Sequence, residues 1–256
     1  WYTLLALAFF PTAFYLNAVY SEALFLALAA GSLYYLRKGR YWLAGPLGAL
    51  ATLVTIYGFL LLLPFLWHIW RREGFRVLKL AHALWMPAGL LSYMAFLFIR
   101  FGDPLVFQSA QSNWARHFEI LVVTLYQAVI SAYRAIPLFF NPHHLFALGT
   151  PSLGASNFFN LIFAIFAIVL AVVSFRLIPF YLWIYSIAAL LIPLSYPAQG
   201  TPLMSMPRLI LEAFPLFIGL GSIMARVPWT RAVYFVVAIP AGMLFTALFA
   251  TAHWVA

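Results

Sequence analysis

Cysteine is absent from the 256 residues, which excludes disulfides and thiolate metal sites. Charge is scarce as well. Asp, Glu, Lys and Arg make up 7% of the chain, where a soluble domain carries about a quarter. Only five acids occur: Glu22, Glu73, Asp103, Glu119 and Glu212. His143 and His144 are adjacent rather than one helical turn apart, and neither an HExxH nor a paired-carboxylate pattern accompanies the six histidines, so no metal site is expected. A phosphate-cradling glycine loop is likewise missing.

Apolar surface fills the space that charge leaves. Hydrophobic residues account for 66% of the chain and aromatics for 19%, with nine Trp, and mean hydropathy is +1.00. These values define an integral, multi-pass membrane protein with long interfacial aromatic belts, residing in the cytoplasmic membrane if prokaryotic. The formal net charge of +9 does not point to nucleic acid, because the basic residues form no continuous face. They stand in short clusters between apolar runs: Arg37-Lys38-Gly39-Arg40, Arg71-Arg72 through Lys79, Arg176, and Arg226 with Arg231. That is the pattern of cytoplasmic loops under the positive-inside rule. The chain opens on Trp1 with an apolar run already in progress, so it is expected to be the C-terminal part of a longer protein, forming a single transmembrane domain over 1–256.

The expected class is all-α, a polytopic transmembrane helical bundle. Trp1 to Phe14 reads as the exit half of one span, and Ser21 to Leu36 as a second. Tyr41 to Trp70 is 30 residues long, roughly 45 Å if helical throughout, against a hydrocarbon core of ~30 Å. Thr52, Thr55 and Gly58 interrupt it and basic residues flank both ends. A broken helical hairpin that returns to the side it left satisfies both observations. Val77 to Ile99 is a clean span leading to an outer loop, Arg100 to Phe118. Glu119 to Phe140 carries Gln127, Ser131 and Arg134 at helical spacing and reads as an interfacial or partly inserted amphipathic helix. Asn141 to Ser156 is expected to be a loop. Spans follow at Asn157 to Phe175, Phe180 to Tyr196, Leu209 to Ala225 and Ala232 to Trp254. This arrangement puts every basic cluster on one side and Asn17, Glu22, Asp103, His143, His144 and Arg208 near the other.

Ionisable groups at membrane depth are functional candidates because burial costs a few kcal/mol or more. Within "SMPRLILEAFPLF", Glu212 lies four residues after Arg208, so the two are either a simple one-turn ion pair or parts of a site. Asp103, between Gly102 and Pro104, has the setting of a helix N-cap. After it, Gln108, Gln111, Asn113, Trp114, Arg116 and His117 crowd a short stretch whose amide, aromatic and cationic groups suit hydroxyls and phosphate at an interface.

Three further stretches carry a family resemblance. "FFPTAFYLNAVYSEALFLALAAGSLYYLRKGRYWLAG", "FGDPLVFQSAQSNWAR" and "SMPRLILEAFPLF", with the terminal "HWVA", resemble in order segments of the phosphatidylinositol-glycan class V mannosyltransferases and their prokaryotic relatives. The resemblance implies a GT-C-like fold and transfer of mannose, or a related hexose, from a polyprenyl- or dolichyl-phosphate carrier on the non-cytoplasmic face. It implies that Arg208 and Arg116 hold the carrier phosphate and that Asn17, Glu22, Asp103, Gln111, Trp114 and Glu212 line or brace the cavity. No cofactor is implied beyond the lipid-linked donor, and the partners are membrane lipids. The family's acidic catalytic loop is expected upstream of Trp1. Relatives often read L-T-R-x-x-G where this chain reads "LVTIYG", so Thr55 stands at a usual arginine position. The alternative is a catalytically inactive member serving as a structural subunit of a larger membrane protein complex. A transporter of a lipid-linked substrate shares the cavity but has no internal repeat to support it.

Overall fold

Backbone polar groups in hydrocarbon have to be satisfied within the segment, and this chain satisfies them with helices. The computed structural model describes residues 1–141, 143, 150–253 and 255. It is 79% helical, without strands among the described residues. The α-helices are α1 (Tyr2–Ala8), α2 (Glu22–Arg37), α3 (Tyr41–Val54), α4 (Leu62–Glu73), α5 (Val77–Leu80), α6 (Trp85–Phe101) and α7 (Val106–Ser109). They continue with α8 (Leu121–Phe139), α9 (Thr150–Ser174), α10 (Phe180–Ser195), α11 (Met206–Leu209), α12 (Leu216–Arg226) and α13 (Pro228–Ala250). Four described segments are long and apolar enough to cross a membrane: Val77–Phe101, Leu121–Leu138, Leu153–Ser174 and Pro228–Ala250. Met206–Ala213 and Leu216–Arg226 meet the same length and polarity only together, as a helix pair bent by 83°.

The hairpin expected over Tyr41 to Trp70 is present. Thr55 turns extended after α3, its Oγ1 accepts from the Tyr57 N–H at 3.2 Å, and a 3-10 helix, Ile56–Leu61, reverses the chain into α4. Gly58 makes the reversal possible, since a Cβ there would lie 2.2 Å from the Ala51 carbonyl carbon and 2.3 Å from the Thr52 nitrogen. Both feet return to one end, where the Tyr41 hydroxyl donates to Glu73 Oε1 at 3.3 Å and Arg72 Nη1 donates to the Arg37 carbonyl at 3.0 Å.

Small residues let these helices approach closely. Ser32 Oγ donates to the Ala44 carbonyl at 2.8 Å, joining α2 to α3. Gly89 of α6 lies against the backbone of Ala49. On the other side of the bundle Phe10 sits among Phe163, Phe166 and Phe217, with ring centroids 5.1 to 6.3 Å away. The same contacts gather the basic clusters. Trp67 of α4 packs on Phe180 at 4.6 Å, Ser174 abuts Gly219, and Arg231 lies 4.2 Å above the Tyr2 ring. The helix ends that carry Arg37, Arg72, Arg176 and Arg231 therefore form one basic end. Glu22, Asp103, Glu119 and Glu212 lie toward the opposite end.

Three local readings change. Thr150 to Ser156, expected as loop, is the first part of α9. The span expected over Leu209 to Ala225 is not straight, because a 3-10 turn, Ile210–Ala213, and Pro215 break it. Finally, α8, expected as an interfacial or partly inserted amphipathic helix, is long and apolar enough to cross. The Glu119 N–H donates to the Ser195 carbonyl at 3.0 Å where α8 begins. Leu138 meets Gly154 where it finishes, one turn from Asn157, whose Nδ2 donates to the Gly200 carbonyl at 3.0 Å. Ala128, Ala132 and Ala135 are buried along its inner face, and Arg134 is exposed. His144, placed by the sequence near the end opposite the basic clusters, lies outside the described residues.

Candidate functional site

Two loops are laced together at the end opposite the basic clusters. The His117 N–H donates to the Pro197 carbonyl at 3.3 Å, and the Gln199 N–H donates to the Ala115 carbonyl at 3.1 Å. Arg116, between them, donates from Nη2 to the Met204 carbonyl at 3.1 Å. The second loop then enters α11 through Ser205, which has left-handed backbone at φ 69° and whose carbonyl accepts from the N–H groups of Arg208 and Leu209. Thr12 Oγ1 fixes this turn by donating to the Pro207 carbonyl at 2.8 Å.

These elements enclose a cavity of about 390 Å³. Arg116 and Arg208 are its cations, Tyr15, Tyr20, Trp114 and Phe249 its aromatic wall, and Gln111, Ser205 and His253 add polar groups. The Arg208 guanidinium lies 5.5 Å from the Tyr15 ring centroid and 5.4 Å from that of Tyr20. Its Nε is 3.2 Å from Glu22 Oε1, a close ion pair whose angle does not make a hydrogen bond.

The one-turn pairing of Arg208 with Glu212 is therefore replaced by a pairing with Glu22. The cause is local. The chain tightens to 3-10 geometry over Ile210–Ala213, so Glu212 does not stack one α-turn beyond Arg208. Glu212 is buried behind the cavity, and its backbone carbonyl accepts from the Tyr185 hydroxyl at 2.9 Å. Glu22 Oε2 and Glu212 Oε2 are both buried with no hydrogen-bond partner. The buried Tyr57 of the hairpin tip lies near enough to feel the charges of Glu212, Arg116 and Arg208.

Arg116 belongs to the loop before α8. Burial pulls its pKa below the ordinary guanidinium value; Tyr57 opposes that fall, and the charge of Arg208 adds a smaller push in the same direction as burial. An arginine nevertheless stays cationic at neutral pH. Two partly buried guanidinium groups bordering one cavity disfavour each other and favour an anion between them.

Of the residues singled out by sequence, Arg208, Arg116, Gln111 and Trp114 line this cavity, and Glu22 and Glu212 lie beneath it. Asn17 lines a separate groove of about 620 Å³ between the segment after α1 and α13. Asp103 is exposed, and its Oδ1 accepts from the Leu105 N–H at 2.8 Å, a turn within its own loop; the N-cap of α7 is Leu105, so Asp103 is not the helix cap that its Gly-Asp-Pro setting suggested. Sequence reasoning missed Tyr15, Tyr20, Ser205, Phe249 and His253. Tyr15 directly precedes the "LNAVYSE" phrase and Tyr20 lies within it, but in a chain so rich in aromatics neither stands out.

The helices and the cavity define a class: an all-α, multi-pass membrane protein with a cationic, aromatic-walled cavity at one end of the bundle. Beyond that class, no protein-family model, no curated protein and no solved structure matches the chain.

Proposed function

We propose that the chain is part of a membrane glycosyltransferase of GT-C type that transfers mannose, or a related hexose, from a polyprenyl- or dolichyl-phosphate carrier on the non-cytoplasmic face. The observation that carries this reading is the convergence of Arg116 and Arg208 on one cavity, together with the sequence phrases in which both stand. In such a transfer the departing lipid phosphate gathers negative charge, and fixed cations stabilise it. Arg208, braced by Glu22 and by two tyrosine faces, is the preorganised cation. Arg116 reaches the same space from the other loop, and Trp114 and Gln111 offer a stacking face and an amide to a sugar.

The test is turnover of the complete protein with a lipid-phosphate mannose donor. Arg208→Ala should lower kcat by about 100-fold or more, the usual loss when one charge-stabilising donor is removed, and Arg208→Lys should restore part of it. Unchanged turnover in Arg208→Ala rejects the role.

A second reading, a non-catalytic subunit of a larger membrane assembly, draws on two observations. Asp103 is engaged in a turn of its own loop, and at the hairpin tip Thr55 stands where relatives carry arginine, its hydroxyl serving the turn. Purification in a stoichiometric complex without bound polyprenyl phosphate favours this reading.

A further inference from the structure

The basic end carries an arrangement that the outer cavity does not use. Seven basic side chains, Arg37, Lys38, Arg40, Arg71, Arg72, Arg76 and Lys79, come together there with a single acid, Glu73. That acid is engaged by two of them, with Lys79 Nζ at 2.5 Å and Arg76 Nη1 at 3.5 Å. Arg71 pairs with no carboxylate among the described residues, and its guanidinium lies 5.9 Å from the Trp67 ring centroid. Arg72 is held in place by the Arg37 carbonyl.

Directly beneath these cations is an apolar groove of about 320 Å³, lined by Leu63, Leu66, Trp67, Trp70, Phe75 and Ile184 among others. The groove and the cations share their residues' neighbourhoods. Trp67 carries Arg71 above it, Trp70 directly precedes Arg71, and Phe75 directly precedes Arg76 and packs 6.2 Å from Trp70. Phe75, Val77 and Leu78 are among the most exposed apolar side chains of the chain, at 81%, 78% and 85%. This places the rim where a membrane surface would cover it.

We propose that this end is a binding site for an anionic phospholipid, with the acyl chain in the Trp67–Trp70 groove and the phosphate headgroup against Arg71 and Arg76. The site does not depend on the transferase reading. An apolar groove alone would accept any lipid. The surplus of cations at its mouth selects a headgroup of net negative charge, since each Lys or Arg near the surface contributes about 1 kcal/mol toward such lipids. Arg71 adds a guanidinium geometry suited to phosphate oxygens.

The test uses the whole protein in detergent micelles, with retained lipid counted by native mass spectrometry after exchange against phosphatidylglycerol or phosphatidylcholine of equal chain length. Phosphatidylglycerol should be retained in preference, and Arg71→Gln with Arg76→Gln should weaken it by about fivefold per arginine. Leu66→Trp, which fills the groove from a residue that is 41% exposed, should reduce retention while thermal stability is unchanged. Equal retention of the two lipids overturns the proposal, as does full retention by either variant. Soluble glycerol phosphate stabilising the protein as well as the intact lipid would also overturn it, because the groove would then play no part.

Discussion

Replacing Glu22 with Gln tests the centre of the outer cavity. In the native protein Glu22 is 5% exposed and lies 3.2 Å from the Nε of Arg208, which retains 25% side-chain exposure. Removing one partner of a buried pair costs about 3–5 kcal/mol when the remaining charge has no other support. Arg208 does have support. The faces of Tyr15 and Tyr20 remain, each contributing about 0.5–1 kcal/mol, and part of the guanidinium stays solvated. The expected loss is therefore nearer ~2 kcal/mol. Because the isosteric glutamine retains the packing, that loss reports charge rather than volume.

Equilibrium unfolding in mixed detergent micelles gives the total loss, and a double-mutant cycle isolates the pair. Glu22→Gln combined with Arg208→Gln should be less destabilising than the sum of the two single changes, with a coupling of about 1–3 kcal/mol. The same cycle run with Glu212→Gln should give a smaller coupling, since Glu212 forms no ion pair with Arg208 in the structure. Coupling to Glu212 equal to or larger than that to Glu22 would refute the assignment and restore the one-turn pair that the sequence suggested.

Three substitutions probe the elements around the cavity. Gly58→Ala should cost at least about 3 kcal/mol and lower the yield of folded protein, because the new methyl would strike backbone atoms that cannot move aside. Gly154→Ala, where the new atom meets only a Leu138 methyl at an ordinary 3.6 Å, should stay within about 0.5 kcal/mol of wild type by the same unfolding measurement. Asp103→Ala should cost about 0.5–1 kcal/mol through loss of its turn hydrogen bond, leaving lipid-phosphate sugar transfer unchanged. A tenfold loss of turnover in a stably folded Asp103→Ala protein would reassign this residue to the chemistry.

The parts of the fold that follow from local physics were legible in the sequence. Basic clusters between apolar runs gave the polarity of the bundle, and contacts such as Arg72 with the Arg37 carbonyl bring those clusters to one end. The excess length of Tyr41 to Trp70, its two threonines and Gly58 gave the hairpin, since no straight span suits that pattern. Pairings across the whole length of the chain were not legible. Nothing in "SMPRLILEAFPLF" indicates that Arg208 meets an acid from α2, because local spacing offers Glu212 and only the tertiary fold supplies Glu22. Tyr15 and Tyr20 went unassigned for a similar reason. In a chain that is 19% aromatic, two more tyrosines carry no signal until a guanidinium is seen to lie against their rings.

Backbone strain gives a further reason to place function at this cavity. Among the described residues three non-glycine positions have left-handed backbone: Ala115, Ser205 and Ala252. Ala115 precedes Arg116, Ser205 lines the cavity and begins the turn that carries Arg208, and Ala252 precedes the cavity residue His253. Each costs on the order of 1–2 kcal/mol relative to an ordinary conformation. The chain uses glycine for such conformations elsewhere, at Gly39, Gly74, Gly102 and Gly200. Ala115 is itself held by a bond from a separate segment, Gln199 N–H to its carbonyl, and the turn that Ser205 begins is held two residues on, by Thr12 Oγ1 to the Pro207 carbonyl. A fold that places two guanidinium groups in a narrow space and fixes both through strained turns is balanced against its own stability. An anion between Arg116 and Arg208 would offset both costs.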